Sequence, residues 1–381
     1  MEGGPPQFII VSCVKSRAEL QSIEHAAVVR DFLPSLVKTV TLEERRAWRI
    51  SLYLCADDTD QFYVSQAAAL RNASATIAPW LTLRLLFYTA TQNRVPNREA
   101  ALQAYADGAE YLHRTNDDIS FMSSHWLTDA VTALRSLSPP NVGVVGPKVY
   151  GDGIRGGATT LDVVHRTHLD IFHDYYPPQL DNWFVDDWIA FTYTRGRKRR
   201  TFVLAGHKRF PSLFWRVQHV FTHGRRYKVA MAQKGLLPAL IECGRDAVDG
   251  WINHTGRAAA ACASGAAAPP PWPRVSCRAE VQLPTADRSA LASGWPDAYT
   301  PVTAPAWGVS AVTSASKRAS APNRTRAHHD VPPPEQVCRP RLEAIRPLEN
   351  AGLYKQAAGY CAQLLPIDRG RCMAASSQQR E

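Results

Sequence analysis

Apolar residues in the first two-thirds of the chain fall in short runs separated by longer, more polar stretches. Gln7–Val14 (QFIIVSCV), Ile50–Cys55, Leu81–Tyr88 and Asn141–Gly146 (NVGVVG) are runs of the kind that buried parallel strands present. Between them, Ser16–Leu33 sets Leu20, Ile23, Ala26, Val29 and Leu33 at roughly helical spacing. Gln61–Asn72, Asn97–Gly108, Leu127–Leu137 and Thr160–Phe172 are also expected to be helical. Asn97 is the expected N-cap of its helix, with Glu99 in the first turn. Pro139 and Pro140 stop the helix before them. Strands alternating with helices predict an α/β fold with a mainly parallel sheet, whose ligands sit beyond the carboxyl ends of the strands. The acidic clusters at 57–60 and 116–118 both follow predicted strands at that end.

From Arg257 onward the pattern disappears. Ala258–Ala268 is almost purely small residues, and two Pro triplets follow at 269–271 and 332–334. The expected organisation is a folded domain over residues 1–256 and a mostly disordered Ala/Pro/Ser/Arg-rich tail over 257–381, with one short helix near Arg341–Leu365. Charge reinforces this division. The 381-residue chain carries a formal net charge of +10, and six of those surplus charges lie in the tail, where 15 basic side chains face 9 acidic ones. A solvated tail accounts for that basicity, and no nucleic-acid partner is expected. Of the eight cysteines none forms a CxxC pair, which excludes a zinc ribbon or thioredoxin-type motif. Cys13 and Cys55 lie in strand-like runs and are expected to be buried as small hydrophobes. No secretory signal and no apolar stretch long enough to span a bilayer is seen, so membrane contact is expected only through an anchor outside this chain.

Three constellations can carry chemistry. Asn116-Asp117-Asp118 places two carboxylates after a predicted strand. Hard divalent cations take such oxygens, although Asp pairs also serve as ordinary caps and turns. Asn182-Trp-Phe-Val-Asp-Asp-Trp188 sets Asp186 and Asp187 between aromatic residues, where shielding from water raises a carboxylate's basicity toward that of a general base. His219 can supply a nitrogen ligand, with His223 competing, and Arg225 or Arg226 can neutralise phosphate. His165 and His168 lie three residues apart, but no second ligand pair accompanies them, so an acceptor-side or packing role is expected rather than a zinc site. Gly151–Gly157 lacks the ending of a phosphate loop and is expected to be a flexible loop. Arg195–Arg200 (RGRKRR) is either a mobile loop closing over a diphosphate or a solvated basic loop.

In this order the motifs resemble the GT-A-type glycosyltransferases, a nucleotide-diphospho-sugar transferase superfamily. Thr159–Phe172, Tyr175–Pro178 and Asn182–Ile189 are more narrowly similar to glycosyltransferase-like proteins of unicellular eukaryotes. The resemblance covers about residues 7–235 and implies a Rossmann-like three-layer sandwich. It implies a metal-dependent hexosyltransferase that moves a sugar from a nucleoside diphosphate to a hydroxyl of a glycan, protein or lipid, with Mn²⁺ or Mg²⁺ as cofactor. By position, Asn116-Asp117-Asp118 matches the family's DxD-type motif, with Asp118 and His219 as metal ligands and Asn116 standing where the family often has Asp. Asp57 or Asp58 matches the nucleoside contact, and Asp187 or Asp186 the catalytic base of an inverting enzyme. The acceptor side is expected to include Asp162, His165, Arg166, His168 and Trp183. The resemblance favours the Golgi lumen. Two rivals remain, an inactive nucleotide-sugar-binding protein and a metal-dependent phosphohydrolase. Sugar-nucleotide binding without transfer marks the first, and phosphate release without a sugar nucleotide marks the second.

Overall fold

The computed structural model describes residues 4–89, 95–151, 160–180, 183–220, 231–264, 267 and 269–277. The chain opens with β1 (Gln7–Cys13), whose seven residues are all buried. A helical region follows, made of a 3₁₀ turn (Ile23–His25), a π turn (Val28–Phe32) and α1 (Leu33–Thr39). The single helix expected over Ser16–Leu33 is therefore two short irregular pieces, with α1 beginning where that helix was expected to end. Next come α2 (Leu42–Ala47), β2 (Arg49–Asp57), α3 (Gln61–Ser65), α4 (Ala67–Ile77) and β3 (Thr82–Tyr88). Then α5 (Asn97–Ala106), β4 (Tyr111–Asn116), β5 (Ile119–Phe121), α6 (Trp126–Arg135) and β6 (Val144–Tyr150) complete the first half. Pro96, not Asn97, is the N-cap of α5.

The second half holds β7 (Asp162–His165), α7 (Thr167–Ile171), α8 (Val185–Thr192), the hairpin β8 (Thr194–Arg195) and β9 (Lys198–Arg199), β10 (Thr201–His207), β11 (Phe210–Phe214), β12 (Arg216–His219), α9 (Met231–Lys234) and α10 (Leu237–Ser264). The helix expected over Thr160–Phe172 is instead strand β7 followed by α7. Its strand is short, and antiparallel pairing with β4 and β6 on either side overrides the helical spacing.

The main sheet runs β11-β10-β6-β7-β4-β1-β2-β3, with β12 joined to β5 and β6. Pairs β1·β2, β2·β3, β1·β4 and β6·β10 are parallel. Helices cover both faces, giving a mainly parallel, three-layer α/β sandwich. Successive residues of a strand point to opposite faces, and β1 accordingly divides itself between two cores. Phe8 and Ile10 pack with α1, α4 and α6. Ile9 and Val11 pack with α5, α8 and α10. On the first face, Thr41 and Glu44 form a capping box at α2. The same Glu44 accepts hydrogen bonds from Thr128 N and Oγ1, tying α2 to α6.

Two disulfides correct the expectation for the cysteines. Cys13 and Cys55 face each other in register on β1 and β2 and are bonded. Cys243 of α10 is bonded to Cys277. Helix α10 passes unbroken through 256–257, where the domain boundary was expected. Beyond it, Val275 forms a β-bridge with Phe172, and Trp272 Nε1 donates to Ile171 O at 3.2 Å. Residues 271–277 thus lie against α7 as a strap. The tail expected to be disordered lies, from 278 on, outside the described residues. Among the described residues no helix is long and apolar enough to cross a membrane.

Candidate functional site

The sheet order creates a switch point. From β1 the chain builds β2 and β3 on one side and then returns to place β4 on the other. In open α/β sheets the loops diverge at such a point and ligands bind at the carboxyl edge. Register puts the two acidic clusters beside it, because Cys13 is level with both Cys55 and Asn116. Asp57 ends β2, and its Oδ2 lies 3.5 Å from Lys15 Nζ. Asp58 follows in the exposed turn, its amide donating to Tyr88 O at 2.8 Å. Asn116 ends β4, and the buried Asp117 and Asp118 form the turn into β5.

Asp118 and His219 are 101 positions apart in sequence, yet His219 Nε2 lies 3.2 Å from Asp118 Oδ1. Antiparallel pairing of β12 with β5 brings them together, His219 opposite Ile119, and Val220 N donates to Asp118 O at 3.0 Å. Gly151, at the end of β6, is part of the same arrangement. Its φ is +138°, and a Cβ there would lie 2.8 Å from His219 Cβ and 2.9 Å from His219 O. Only glycine allows the two backbones this close.

Asp186 and Asp187 occupy the first turn of α8, where the helix dipole favours negative charge. Helix α8 ends beside the amino end of β10, with Arg200 N donating to Tyr193 O. Its first turn therefore points to the carboxyl edge of the sheet, as the acidic clusters do. Phe184 enters the helix with φ +67°, a left-handed conformation that a bulky side chain rarely adopts. Trp183 lies just before it, half-buried. Burial pushes the Asp187 carboxyl up to about 6, helped by the neighbouring charge of Asp186 and opposed by Lys234.

Behind this helix lies a polar centre whose arginine no sequence motif singles out. Arg114 of β4 and Asp162 of β7 form a buried ion pair, with Nε and Nη2 donating to Asp162 Oδ2 at 2.9 and 2.7 Å. Tyr175 Oη donates to Asp162 Oδ1 at 2.5 Å, and Tyr176 Oη to Oδ2 at 2.8 Å. Burial works against the Arg114 charge, but Asp162, Tyr176 and Asp186 outweigh it and hold the guanidinium protonated. A strand residue and a carboxylate 48 positions away carry no shared local signal. Tyr175-Tyr176 is the visible trace of it in the sequence, within the segment that carries the resemblance.

The residues expected on the acceptor side divide differently. Asp162 is fully buried and saturated by this network, so it cannot face an acceptor. His168 is also buried, with Nδ1 2.8 Å from Tyr193 Oη and Nε2 2.9 Å from Tyr175 O, so both ring nitrogens are engaged within the core. His165 is paired with Tyr111 at the amino end of β4, and Arg166 N donates to Glu110 O. Both therefore sit at the edge of the sheet opposite the acidic clusters. Arg195–Arg200 is the β8–β9 hairpin, at that same opposite edge beside the start of β10. Arg195 is held there by Glu242, Asp246 and Asp249 of α10, so the hairpin does not close over a diphosphate bound at the acidic clusters. Residues 152–157, His223, Arg225 and Arg226 lie outside the described residues.

No protein-family model and no curated protein matches the chain. Among solved structures it is similar to glucosyl-3-phosphoglycerate synthase from Mycobacterium tuberculosis in complex with Mn²⁺, UDP and phosphoglyceric acid. That match has 9% identity over 64% of this chain and 78% of the other, with a TM-score of 0.35. It is also similar to 4-diphosphocytidyl-2C-methyl-D-erythritol synthase from Anaerococcus prevotii, at 10% identity over 43% of this chain and 73% of the other, with a TM-score of 0.28. Overlaps this loose carry no inference about activity, and the reading below rests on the residues of this chain.

Proposed function

We propose that the chain transfers a sugar from a nucleoside-diphosphate donor to a hydroxyl acceptor, with a divalent cation at Asp118 and His219. The observation that carries this reading is the 3.2 Å approach of Asp118 Oδ1 and His219 Nε2 at the carboxyl edge of the sheet. Two adjacent ligands of an octahedral cation, at bond lengths of about 2.1 Å, are about 3 Å apart. The carboxylate–imidazole pair therefore fits Mn²⁺ or Mg²⁺. Among the described residues no group of three or more His, Cys, Asp or Glu surrounds this point. A two-residue set suits a cation that draws its remaining ligands from substrate phosphates and water. When bound, such a cation neutralises the charge that grows on a departing diphosphate.

The other roles follow from position. Asp57 and Asp58 lie at the switch point on the β2 side and would orient the nucleoside, with Lys15 beside Asp57 adding positive charge. Asp187, on the helix that points to the same edge, would take the proton from the acceptor hydroxyl in an inverting reaction. A carboxyl raised to about 6 is ionised near neutrality yet more basic than an ordinary aspartate. Two disulfides favour an oxidising compartment over the cytosol.

Thermal-shift titration of the full chain with UDP and GDP, with and without Mn²⁺, tests the donor site. Stabilisation that requires Mn²⁺ and disappears in Asp118→Ala is the expected result, because a ligand that binds only the folded state raises its stability. A well-folded protein that no nucleoside diphosphate stabilises would remove the donor reading.

A further inference from the structure

The outer face of β6 and β12 carries a group of side chains that the donor chemistry does not use. In β6, Val145 and Val149 point into the core with α6, whereas Val144 points into the core with α8. The strand alternates regularly, so Lys148 and Tyr150 emerge on the α8 face, and both are exposed. The parallel register places Arg216 beside Lys148 and Gln218 beside Tyr150. Along 214–218 the same alternation buries Trp215 and Val217 and turns Phe214, Arg216 and Gln218 outward.

Lys148 Nζ lies 5.0 Å from the Tyr150 ring centre, and the Arg216 guanidinium 5.6 Å from that of Phe214. Among the described residues neither cation has a carboxylate partner, and Arg216 Nε is buried without a hydrogen bond. Tyr150 and Phe214 are 38% and 47% exposed, which is high for rings on a sheet face flanked by covering helices. The platform adjoins the proposed chemistry, since Gln218 precedes His219 and Tyr150 precedes Gly151. It also opens on the face from which α8 presents Asp186 and Asp187.

We infer that this platform is the acceptor subsite and that it takes an anionic sugar, one bearing a phosphate or a carboxylate. Sugar rings present apolar C–H faces that stack on exposed aromatic rings. An anionic substituent matches two cations that no carboxylate pairs among the described residues, one of them an arginine whose Nε is buried without a hydrogen bond. The inference rests on the transfer reading above, for which it names the class of acceptor. The ligand can be a free sugar phosphate or uronic acid, or the acidic end of a glycan.

Calorimetric titration of the full chain with glucose 6-phosphate, glucuronate, glucose and inorganic phosphate tests it, with an acidic glycan fragment as a further arm. Both acidic sugars are expected to bind at least about fivefold more tightly than glucose or phosphate alone. The Lys148→Ala/Arg216→Ala pair should lower that affinity about tenfold. Tyr150→Ala, at an exposed site that leaves folding intact, should weaken the acidic sugars but not inorganic phosphate. Tighter binding of the glycan fragment than of the free sugars would identify a glycan end as the source. Failure of the wild type to bind acidic sugars, equal binding by the variants, or phosphate competing as well as the sugars would overturn the inference. The Mn²⁺-dependent UDP shift, measured on the same samples, separates the two readings. If it persists while acidic sugars fail, only the platform falls; if it is absent while acidic sugars bind and respond to the variants, the donor site falls instead.

Discussion

Strand β4 places two basic side chains next to each other in sequence and sends them to opposite faces of the sheet, where they meet opposite solutions to burial. His113 enters the core under α6, its ring centre 5.0 Å from that of Trp215 and 5.5 Å from that of Trp126. Burial lowers its basicity to about 4, so it is neutral at pH 7. Arg114 enters the core under α8 and keeps its charge, matched by Asp162 and the Tyr176 hydroxyl. The α6 face is a packing core in which a titratable group has been silenced. The α8 face retains a buried charge pair, and that is the face whose helix carries Asp186 and Asp187. Asp186 itself contributes to holding Arg114 protonated, so the pair and the acidic turn are electrically linked.

The comparison can be broken most strongly at Asp187. Asp187→Asn should lower turnover by about 10²–10⁴-fold with the fold retained, the usual size of a general-base contribution. The wild-type rate should rise with pH through about 6, as the carboxyl ionises. Because the folded carboxyl titrates above its unfolded value, the wild type should lose stability relative to Asp187→Asn between about pH 4 and 6. A rate profile without a limb near 6, in a fully active Asp187→Asn, would remove the base assignment. Next in size, Asp162→Asn should cost about 3–5 kcal/mol by stranding the Arg114 charge. His113→Phe gives up the buried hydrogen bond from Nδ1 to Asp162 O but also removes the unpartnered Nε2, and should cost less, about 1–2 kcal/mol. Urea unfolding of the two variants checks that asymmetry, and equal costs would abolish it.

The histidines sharpen the contrast by pH. His113 and His168 are both buried with their basicity lowered to about 4. A histidine with a lowered folded value stabilises fully above its unfolded pKa of about 6.5 and loses that contribution as pH falls toward 4. Melting temperature should therefore drop across this window, and the drop should be shallower in His113→Phe. The α8 face also has a staple of its own. Cys243→Ser should destabilise by about 2–4 kcal/mol, read as a lower urea midpoint, while Mn²⁺-dependent nucleotide binding is retained.

The elements legible in the sequence were those with continuous apolar runs or clear caps. β1, β2, β3, α5 and α6 begin and end within two or three residues of their expected positions. What misled was helical spacing without a helix. Thr160–Phe172 satisfies a 3.6-residue period, but its Val163-Val164 core is claimed by two flanking strands. The carboxyl-edge placement of both acidic clusters followed from strand order alone, whereas the approach of His219 to Asp118 depends on β12 pairing with β5, which no local pattern encodes. Disulfide pairing was hidden for the same reason. Cys13 and Cys55 look like any buried small residues until register places them opposite each other.

The strap that ends in Cys277 also bears on how the chain is made. The β1–β3 layer and its Cys13–Cys55 bond need only the first 88 residues, so they can form early, while synthesis continues. The core beneath α8 cannot finish on that schedule. Its last contributors, Trp272, Val275 and Cys277, emerge more than 70 residues after α8 itself begins at Val185. Until they arrive, α10 and α7 expose the surface that the strap will cover. A ribosome-bound chain stopped near residue 256 would hold a closed α6 face and an open α8 face.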